Sequence, residues 1–530
     1  MRFFDAQPEQ PAMNPVPASQ FPIPAARLAL IAGLFAAVLL AVRITGLVLY
    51  PSALHADETQ YWIWSRNVDW GYFSKPPLIA WIIAASTSVF GNADWAVRLP
   101  APILHTITAT FLALSANRLF GPVTAFWSFI VWLTLPAVWL SAAVMTTDSA
   151  LLMFWSASLY AFIRLRDGGG WISALGVGAG IGLGIMAKYA MSYFIAGLVL
   201  AAILDPVSRR ALLQIRTLAA AALAFLIVLP NLIWNWRNDF ATLSHTAANA
   251  NWDEDLINPG HAISFVLDQL GVFGPVLFPV LVVVLVWTAR RWLSGQADAR
   301  LVMLASFCAP AIIVVTSQAF LSRSHAGWAA SAYAAGTLIV VALLMEGPRW
   351  RRWLVAGSVA VHTIAGLSMA TLALSPALTE QVGMANAFKR VRGWPETAER
   401  LAEAVERTGV EAIVFDNRND FHQMQRYGTG IDAELYMWVR YSGISSHAEL
   451  GWSLPAGFTG PVLIASERPI EVPVLALDFA RMDPQGEIRV DLGGRRERVY
   501  QLFLAQDYRP ALRTQAFEDA IWQAREADAQ

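Results

Sequence analysis

The stretch His55–Trp81 reads HADETQYWIWSRNVDWGYFSKPPLIAW, and it follows the apolar run Ala26–Val48. A bilayer core takes about 20 apolar residues, so Ala26–Val48 predicts a first membrane span. The stretch after it is too polar to cross a bilayer and too aromatic for a free loop. It is the signature of a membrane protein with a structured loop outside its first span. Working outward, similar apolar runs recur at 99–117, 123–142, 147–165, 171–187, 189–204, 211–233, 263–289, 301–320, 326–345 and 353–374. With the first they predict about eleven spans of ~20 residues each. Leu78–Phe90 is apolar but short, and reads as a re-entrant or interfacial helix. A sharp turn near Lys188 separates 171–187 from 189–204.

Composition agrees. Of 530 residues, 56% are hydrophobic and 15% charged. Soluble domains average about 45–50% and about 25%, so an ordinary soluble enzyme is excluded, and so is disorder. A net charge of −1 offers no basic surface for nucleic acid. The single cysteine, Cys308, excludes an intrachain disulfide framework and a cysteine-cluster metal site. The 22 tryptophans suit long membrane–water boundaries.

Arginine and lysine set the expected orientation. With the N-terminus inside, the inner loops collect twelve arginines, from Arg118 to Arg352, against six cations in the outer connections. The expected domains are a flexible cytoplasmic tail at 1–25, a transmembrane domain at 26–374 with its first outer loop at 49–98, and an outer domain at 375–530. In a Gram-negative cell that last domain is periplasmic and the spans sit in the inner membrane. It reads as a small soluble α/β domain. Trp394–Thr408 has helix-forming residues, Val410–Asp416 and Gly460–Ser466 read as buried strands, and Glu487–Val490 with Val499–Leu504 flank a hairpin turn.

The chemistry-bearing residues gather on the outer side. Asp57 and Glu58 follow the first span, at a depth where charge is costly and usually has a task. Around them, His55, Tyr61, Trp62, Tyr72 and Phe73 fit either an interfacial aromatic belt or a sugar-stacking surface. The chain's only lysines are Lys75, Lys188 and Lys389. The first two lie at the outer face, where an ammonium suits a lipid phosphate or snorkels to headgroups. Asp148 opens a span on the same side, either as a site residue or as a helix cap. Arg237 and Arg323 lie at outer span ends. The glycines of Gly176–Gly184 follow no strand and read as close helix packing rather than a dinucleotide loop. His55, Asp57 and Glu58 are poor evidence for a metal, and no cofactor or metal is expected.

Three motifs carry a family resemblance: Asp57-Glu58 after the first span, Tyr72-Phe73-Ser74-Lys75-Pro76-Pro77-Leu78, and Val97-Arg98-Leu99-Pro100. Together they resemble the GT-C class of membrane glycosyltransferases. The branch they resemble is the bacterial protein O-mannosyltransferase-like family, related to the lipid A aminoarabinose transferase. The resemblance is strongest over 50–150 and looser to about 375. It implies a GT-C fold and a sugar donor on a polyprenyl phosphate. The acceptor it implies is a glycan, lipid A or a protein, met among membrane lipids. It implies Asp57 as the catalytic acid–base residue, Asp148 as a second acidic site residue, and Lys75 as a phosphate ligand helped by Lys188 and Arg323. Attack from the face opposite the phosphate implies inversion. Aminoarabinose transferases resemble Tyr-Phe-Glu-Lys-Pro where this chain has Ser74, which argues against aminoarabinose as the sugar. A secondary transporter predicts internal two-fold repeats, which the sequence lacks. A scaffold subunit of an envelope complex has no need of Asp57, Lys75, Lys188 and Asp148 on one face.

Overall fold

A computed structural model describes residues 24–248 and 257–529 of the chain. Nearly all of the tail at 1–25 lies outside the described residues. The chain forms two compact units: residues up to 48 with 75–91 and 95–370, and residues 49–74 with 92–94 and 371–530. The first outer loop is therefore divided. Its opening half and three later residues belong with the C-terminal segment, and the rest with the helical body.

The helical unit is built from apolar helices whose ends fall at Gly, Pro or charge. Among the described residues five are long and apolar enough to cross a membrane: Ala25–Leu49, Asp94–Phe120, Ile215–Arg237, Ala299–Leu321 and Arg349–Leu374. Two bent pairs bring the number to seven, one of them Pro259–Val272 with Leu277–Leu293, turned by 114°. The run 263–289, expected as one span, is thus broken. Gly274 at φ +106° and Pro275 interrupt the helix there. The other expected spans are Pro122–Thr134, Thr147–Arg166, Trp171–Ala187 and Ala332–Glu346. These helices are shorter or carry charge at their ends, so length and hydropathy alone do not mark them as crossings.

Packing explains the glycine run. Trp171–Ala187 lies between Thr147–Arg166 and Ile215–Arg237. A Cβ added at Gly178 meets the Ala220 carbonyl oxygen at 2.2 Å, and one at Gly180 meets Ser158 Oγ at 2.2 Å. Backbones this close admit only glycine, which is the small-residue packing of membrane helices. At the centre, Ala332–Glu346 is apolar on every face and almost wholly buried. Arg43, in the first helix, donates to the Leu133 carbonyl at 2.7 Å, where Pro136 ends the helix Pro122–Thr134 one turn on. A cation placed on the last carbonyls of a helix satisfies them and the helix dipole.

The second unit is a five-stranded sheet, β1 (Ala412–Phe415), β2 (Glu434–Met437), β3 (Val462–Ser466), β4 (Phe479–Gly493) and β5 (Arg496–Tyr508), in the order β2-β1-β3-β5-β4. The β2-β1-β3 part is parallel, and β5 and β4 are antiparallel. Alternate residues serve two cores. Ile413, Phe415, Leu463 and Ala465 meet Leu401, Phe421 and Met424 on one face. Ala412, Val414, Val462 and Ile464 meet Phe517 and Ile521 on the other. Burial on both faces makes β1 and β3 continuously apolar, as parallel strands are. The β4–β5 turn is Gly494-Arg495, both at positive φ, the two-residue geometry that suits a twisted hairpin. The helix Ala56–Arg66 packs on the helix Arg418–Tyr427.

Candidate active site

Adjacent helical residues point about 100° apart, so Asp57 and Glu58 cannot both face one substrate. Glu58 is fully buried, and its carboxylate accepts the His55 N–H at 2.9 Å while His55 Nδ1 accepts the Asp57 N–H at 3.4 Å. This is a capping box with histidine in the N-cap position. Glu58, expected as a catalytic carboxylate beside Asp57 and Asp148, takes part in this helix cap, as does His55, expected to line the substrate. Asp57 is exposed, and its carboxylate forms no hydrogen bond or ion pair among the described residues.

The loop aromatics are used mainly on one another. Trp64 stacks on Tyr72 at 4.6 Å, with Tyr61 at 5.4 Å from Trp64 on one side and His447 at 5.4 Å on another. The Tyr72 hydroxyl donates to the Trp64 carbonyl at 3.0 Å and accepts the Asp69 N–H at 3.0 Å. Burial pushes the Tyr72 phenol up to about 12. Tyr61, Tyr72 and Phe73 are all buried, so the sugar-stacking faces expected there are turned inward. Trp62 is half-buried, its Nε1 donating to Asn92 Oδ1 at 2.9 Å and its ring covered by the Arg426 guanidinium at 4.4 Å.

In the helical unit, Lys188 meets Asp148. Lys188 Nζ donates to both Asp148 carboxylate oxygens, at 2.8 and 2.9 Å. Lys188 sits in extended conformation at the break between Trp171–Ala187 and the turn at Tyr189–Met191, and Asp148 lies in the first turn of Thr147–Arg166. The two helices run antiparallel and side by side, so one's end meets the other's start. Side-chain exposures of 22% and 29% leave the pair accessible. Beside it, the Tyr189 hydroxyl donates to Asn231 Oδ1 at 2.8 Å and accepts from Asn235 Nδ2 at 3.2 Å. These three polar residues were not singled out in the sequence. The signal was there: Asn231 and Asn235 stand four apart in an apolar helix, hence on one face.

Lys75 is half-buried, three residues before the start of the helix Leu78–Phe90. That helix packs against Pro100–Phe120, Thr147–Arg166 and Trp171–Ala187. Arg98, in the Val-Arg-Leu-Pro motif, is buried at 2% exposure. Arg237 ends the helix that carries Asn231 and Asn235, and Arg323 follows Ala299–Leu321; both are exposed. Among the described residues no group of three His, Cys, Asp or Glu side chains is arranged to hold a metal ion. The helical unit thus presents a paired lysine and aspartate beside a Tyr–Asn–Asn cluster, and the other unit presents an unpaired aspartate on a capped helix.

Residues 74–234 match the family of dolichyl-phosphate-mannose-protein mannosyltransferases. The chain belongs to the GT-C family of membrane glycosyltransferases and is an integral-membrane enzyme. Among its relatives is the lipid A galacturonosyltransferase RgtD of Rhizobium johnstonii. The two are 34% identical over 418 residues, 78% of this chain and 85% of the relative. The lipopolysaccharide core galacturonosyltransferase RgtA of the same organism is 31% identical over 205 residues, 38% of this chain and 41% of the relative. The fold is similar to that of ArnT from Cupriavidus metallidurans in the apo state, with a TM-score of 0.61 and 16% identity over 91% of this chain and 98% of that one. The same protein bound to undecaprenyl phosphate matches with a TM-score of 0.61 and 17% identity over 89% and 97%. The likeness to a glycosyltransferase over most of the chain leaves no place for the transporter or scaffold readings.

Proposed function

We propose that the enzyme transfers galacturonic acid from a polyprenyl-phosphate donor to lipid A at the outer face of the bacterial inner membrane. The observation that carries this reading is the likeness to a lipid A galacturonosyltransferase over 85% of that relative's length. The donor type is supported by the solved structure of similar fold that holds undecaprenyl phosphate. Ser74 supports an acidic sugar as well. Aminoarabinose transferases resemble a glutamate there, which suits an amino sugar and repels a uronate.

In the proposed reaction the acceptor hydroxyl oxygen bonds to C1 of the sugar while the bond from C1 to the phosphate oxygen breaks. Attack comes from the opposite face, so the anomeric centre inverts. The hydroxyl proton passes to Asp57, the exposed carboxylate at the start of Ala56–Arg66. The bonding pair leaves on the lipid phosphate, whose growing charge Lys75 and Lys188 stabilise, with Arg323 in support. Asp148 holds the Lys188 ammonium in place by two hydrogen bonds. Orientation follows the arginine count, with the N-terminus cytoplasmic and the C-terminal unit periplasmic. Mass spectrometry of lipid A tests the reading. Deleting the gene should remove one hexuronic acid from lipid A, and the intact gene should restore it. An unchanged lipid A after deletion overturns lipid A as the acceptor.

A further inference from the structure

The unit that contains the sheet has a binding cavity of its own. It measures about 330 Å³, within the size of small-molecule sites, ~300–1,000 Å³. It opens at the carboxyl ends of β1 and β3, between the loops Asn417–Asn419 and Ser466–Arg468. The order β2-β1-β3 makes this the point where the chain leaves β1 for one side and returns on the other. Open α/β sheets bind ligands at such points.

The lining is cationic. Arg418, Arg440, Arg468 and Arg525 face the cavity, against the single carboxylate of Glu449. Glu449 is itself occupied, accepting from Ser445 N–H at 2.7 Å and Ser445 Oγ at 2.6 Å. Behind the wall, Glu471 alone serves three guanidiniums: Arg440 at 2.7 Å, Arg525 at 2.8 Å and Arg468 at 3.6 Å. Arg418 forms no ion pair or hydrogen bond among the described residues. Asp416 and Glu467, also close by, accept from the chain itself. Asp416 takes Ser466 Oγ at 2.5 Å, and Glu467 takes Asn417 Nδ2 at 2.5 Å. Three of the guanidiniums thus share the one carboxylate of Glu471 as ion-pair partner, and Arg418 pairs with none among the described residues, which leaves guanidinium donors for a ligand. Burial and the neighbouring Arg468 hold the Arg440 guanidinium below its ordinary range, which a bound anion would reverse. The Arg468 Nη1 that faces Glu471 at 3.6 Å is buried and too far for a hydrogen bond. The remaining lining is amide, hydroxyl and one aromatic ring: Asn417, Asn419, Ser446 and Tyr441.

A guanidinium without a carboxylate partner selects an oxyanion, because its planar fork matches phosphate and carboxylate oxygens. Amides, a hydroxyl and a ring around them suit sugar hydroxyls and a sugar face. We infer that this cavity, lined by none of Asp57, Lys75 and Lys188, is a second carbohydrate site, and that it takes a sugar bearing a phosphate or carboxylate group. Arg418 and Arg468 hold the anionic group, and Asn419 and Tyr441 hold the ring. The cavity belongs to one unit alone, so the inference stands whether or not lipid A is the acceptor.

The test uses the full-length protein in detergent, with glucosamine 1-phosphate and galacturonic acid as probes in titration calorimetry. At least one probe should bind saturably. Arg418→Gln should weaken it tenfold or more with little change in melting temperature, because the Arg418 side chain forms no hydrogen bond or ion pair among the described residues. Arg468→Lys should keep part of the affinity. Lipid A micelles that displace the probe identify a membrane glycolipid as the source of the ligand, and failure to displace it identifies a soluble sugar; both support the site. Asp57→Asn should bind the probe as the parent does, which separates this site from the transfer chemistry. No saturable binding of either probe at millimolar concentration overturns the inference, and so does Arg418→Gln binding as tightly as the parent.

Discussion

At the scale of single residues, the neighbours Asp57 and Glu58 separate chemistry from structure. Asp57→Asn keeps the size and removes the base, so transfer by the purified enzyme should cease while its melting temperature holds. Glu58→Ala instead opens the capping box, and loss of such a cap costs ~0.5–2 kcal/mol of stability. Its signature should be a lowered melting temperature with transfer retained in the folded fraction; abolished transfer in a fully folded Glu58→Ala protein would return Glu58 to the chemistry. In the proposed reaction, Lys75→Ala and Lys188→Ala would each remove a charge-assisted hydrogen bond to the donor phosphate, worth ~1.5–3 kcal/mol. Binding of undecaprenyl phosphate should weaken by roughly tenfold to a hundredfold, with arginine restoring only part because its fork differs from a point ammonium. Affinity equal to the parent in both alanine variants would leave the lysines as headgroup anchors. The ionisable residues were easy to single out in the sequence, since charge is rare in this chain. It did not show that Glu58 turns inward, because that depends on which helix face meets the C-terminal segment. Nor did it show that Tyr61 and Tyr72 pack on Trp64 and that Phe73 is buried, because aromatic residues serve a core and a sugar equally well.

At the scale of elements, glycine decides how closely helices approach. Gly178→Ala puts a methyl against the Ala220 carbonyl oxygen, a backbone atom that cannot step aside. Overpacking of this kind costs ~1–3 kcal/mol, so the purified variant should melt at a lower temperature. Gly33→Ala, where a Cβ meets nothing within 4 Å, should melt as the parent does. Local pattern predicted these elements where pattern is strong. The helix Trp394–Thr408 and the short helix Leu78–Phe90 have the expected bounds, and the hairpin surrounds the expected turn. It missed β2, a short edge strand defined by its pairing with β1 rather than by its own residues. It also passed over Gly274-Pro275, where a continuous apolar run masked two helix breakers.

The sheet unit also carries a pH dependence. Burial holds His422 at about 3 and His447 at about 4, below the ordinary 6.5. A histidine depressed in the folded state binds its proton only on unfolding, so its contribution to stability falls as pH drops from about 6.5 toward 4. Buried Asp416 and Asp420 are raised and act in the opposite sense. The difference between parent and His447→Phe isolates one group. Amide protection of Ala412–Phe415 in the full-length protein should be lost faster in the parent as pH falls through that window, by up to ~3 kcal/mol relative to the variant. A constant difference from pH 7 to 4.5 would show that His447 does not titrate as its burial requires.

At the scale of the whole molecule, the chain divides into a helical body and a sheet unit that takes in the loop carrying Asp57. The composition made the two-part plan visible, because apolar helices and a charged α/β segment differ in every statistic. It could not show that part of the first outer loop belongs with a segment more than 300 residues later, since that is a property of packing. The proposed topology requires the loop, the Asp148 end of the helices and the sheet unit all to face outward. In a Cys308→Ser background, single cysteines at the exposed positions Val68, Ala143 and Ala456 should react with an impermeant thiol reagent on intact spheroplasts. Labelling of Ala456→Cys only after lysis would place the sheet unit inside.

The most direct measurement is transfer itself. Purified enzyme, polyprenyl-phosphate galacturonic acid and lipid A lacking the sugar are incubated together, and the lipid A is weighed by mass spectrometry. The expected result is a gain of one hexuronic acid with the parent enzyme and none with Asp57→Asn. A gain with Asp57→Asn at the parent's rate, or lipid A left unchanged by a folded parent enzyme that consumes the donor on another acceptor, would contradict it.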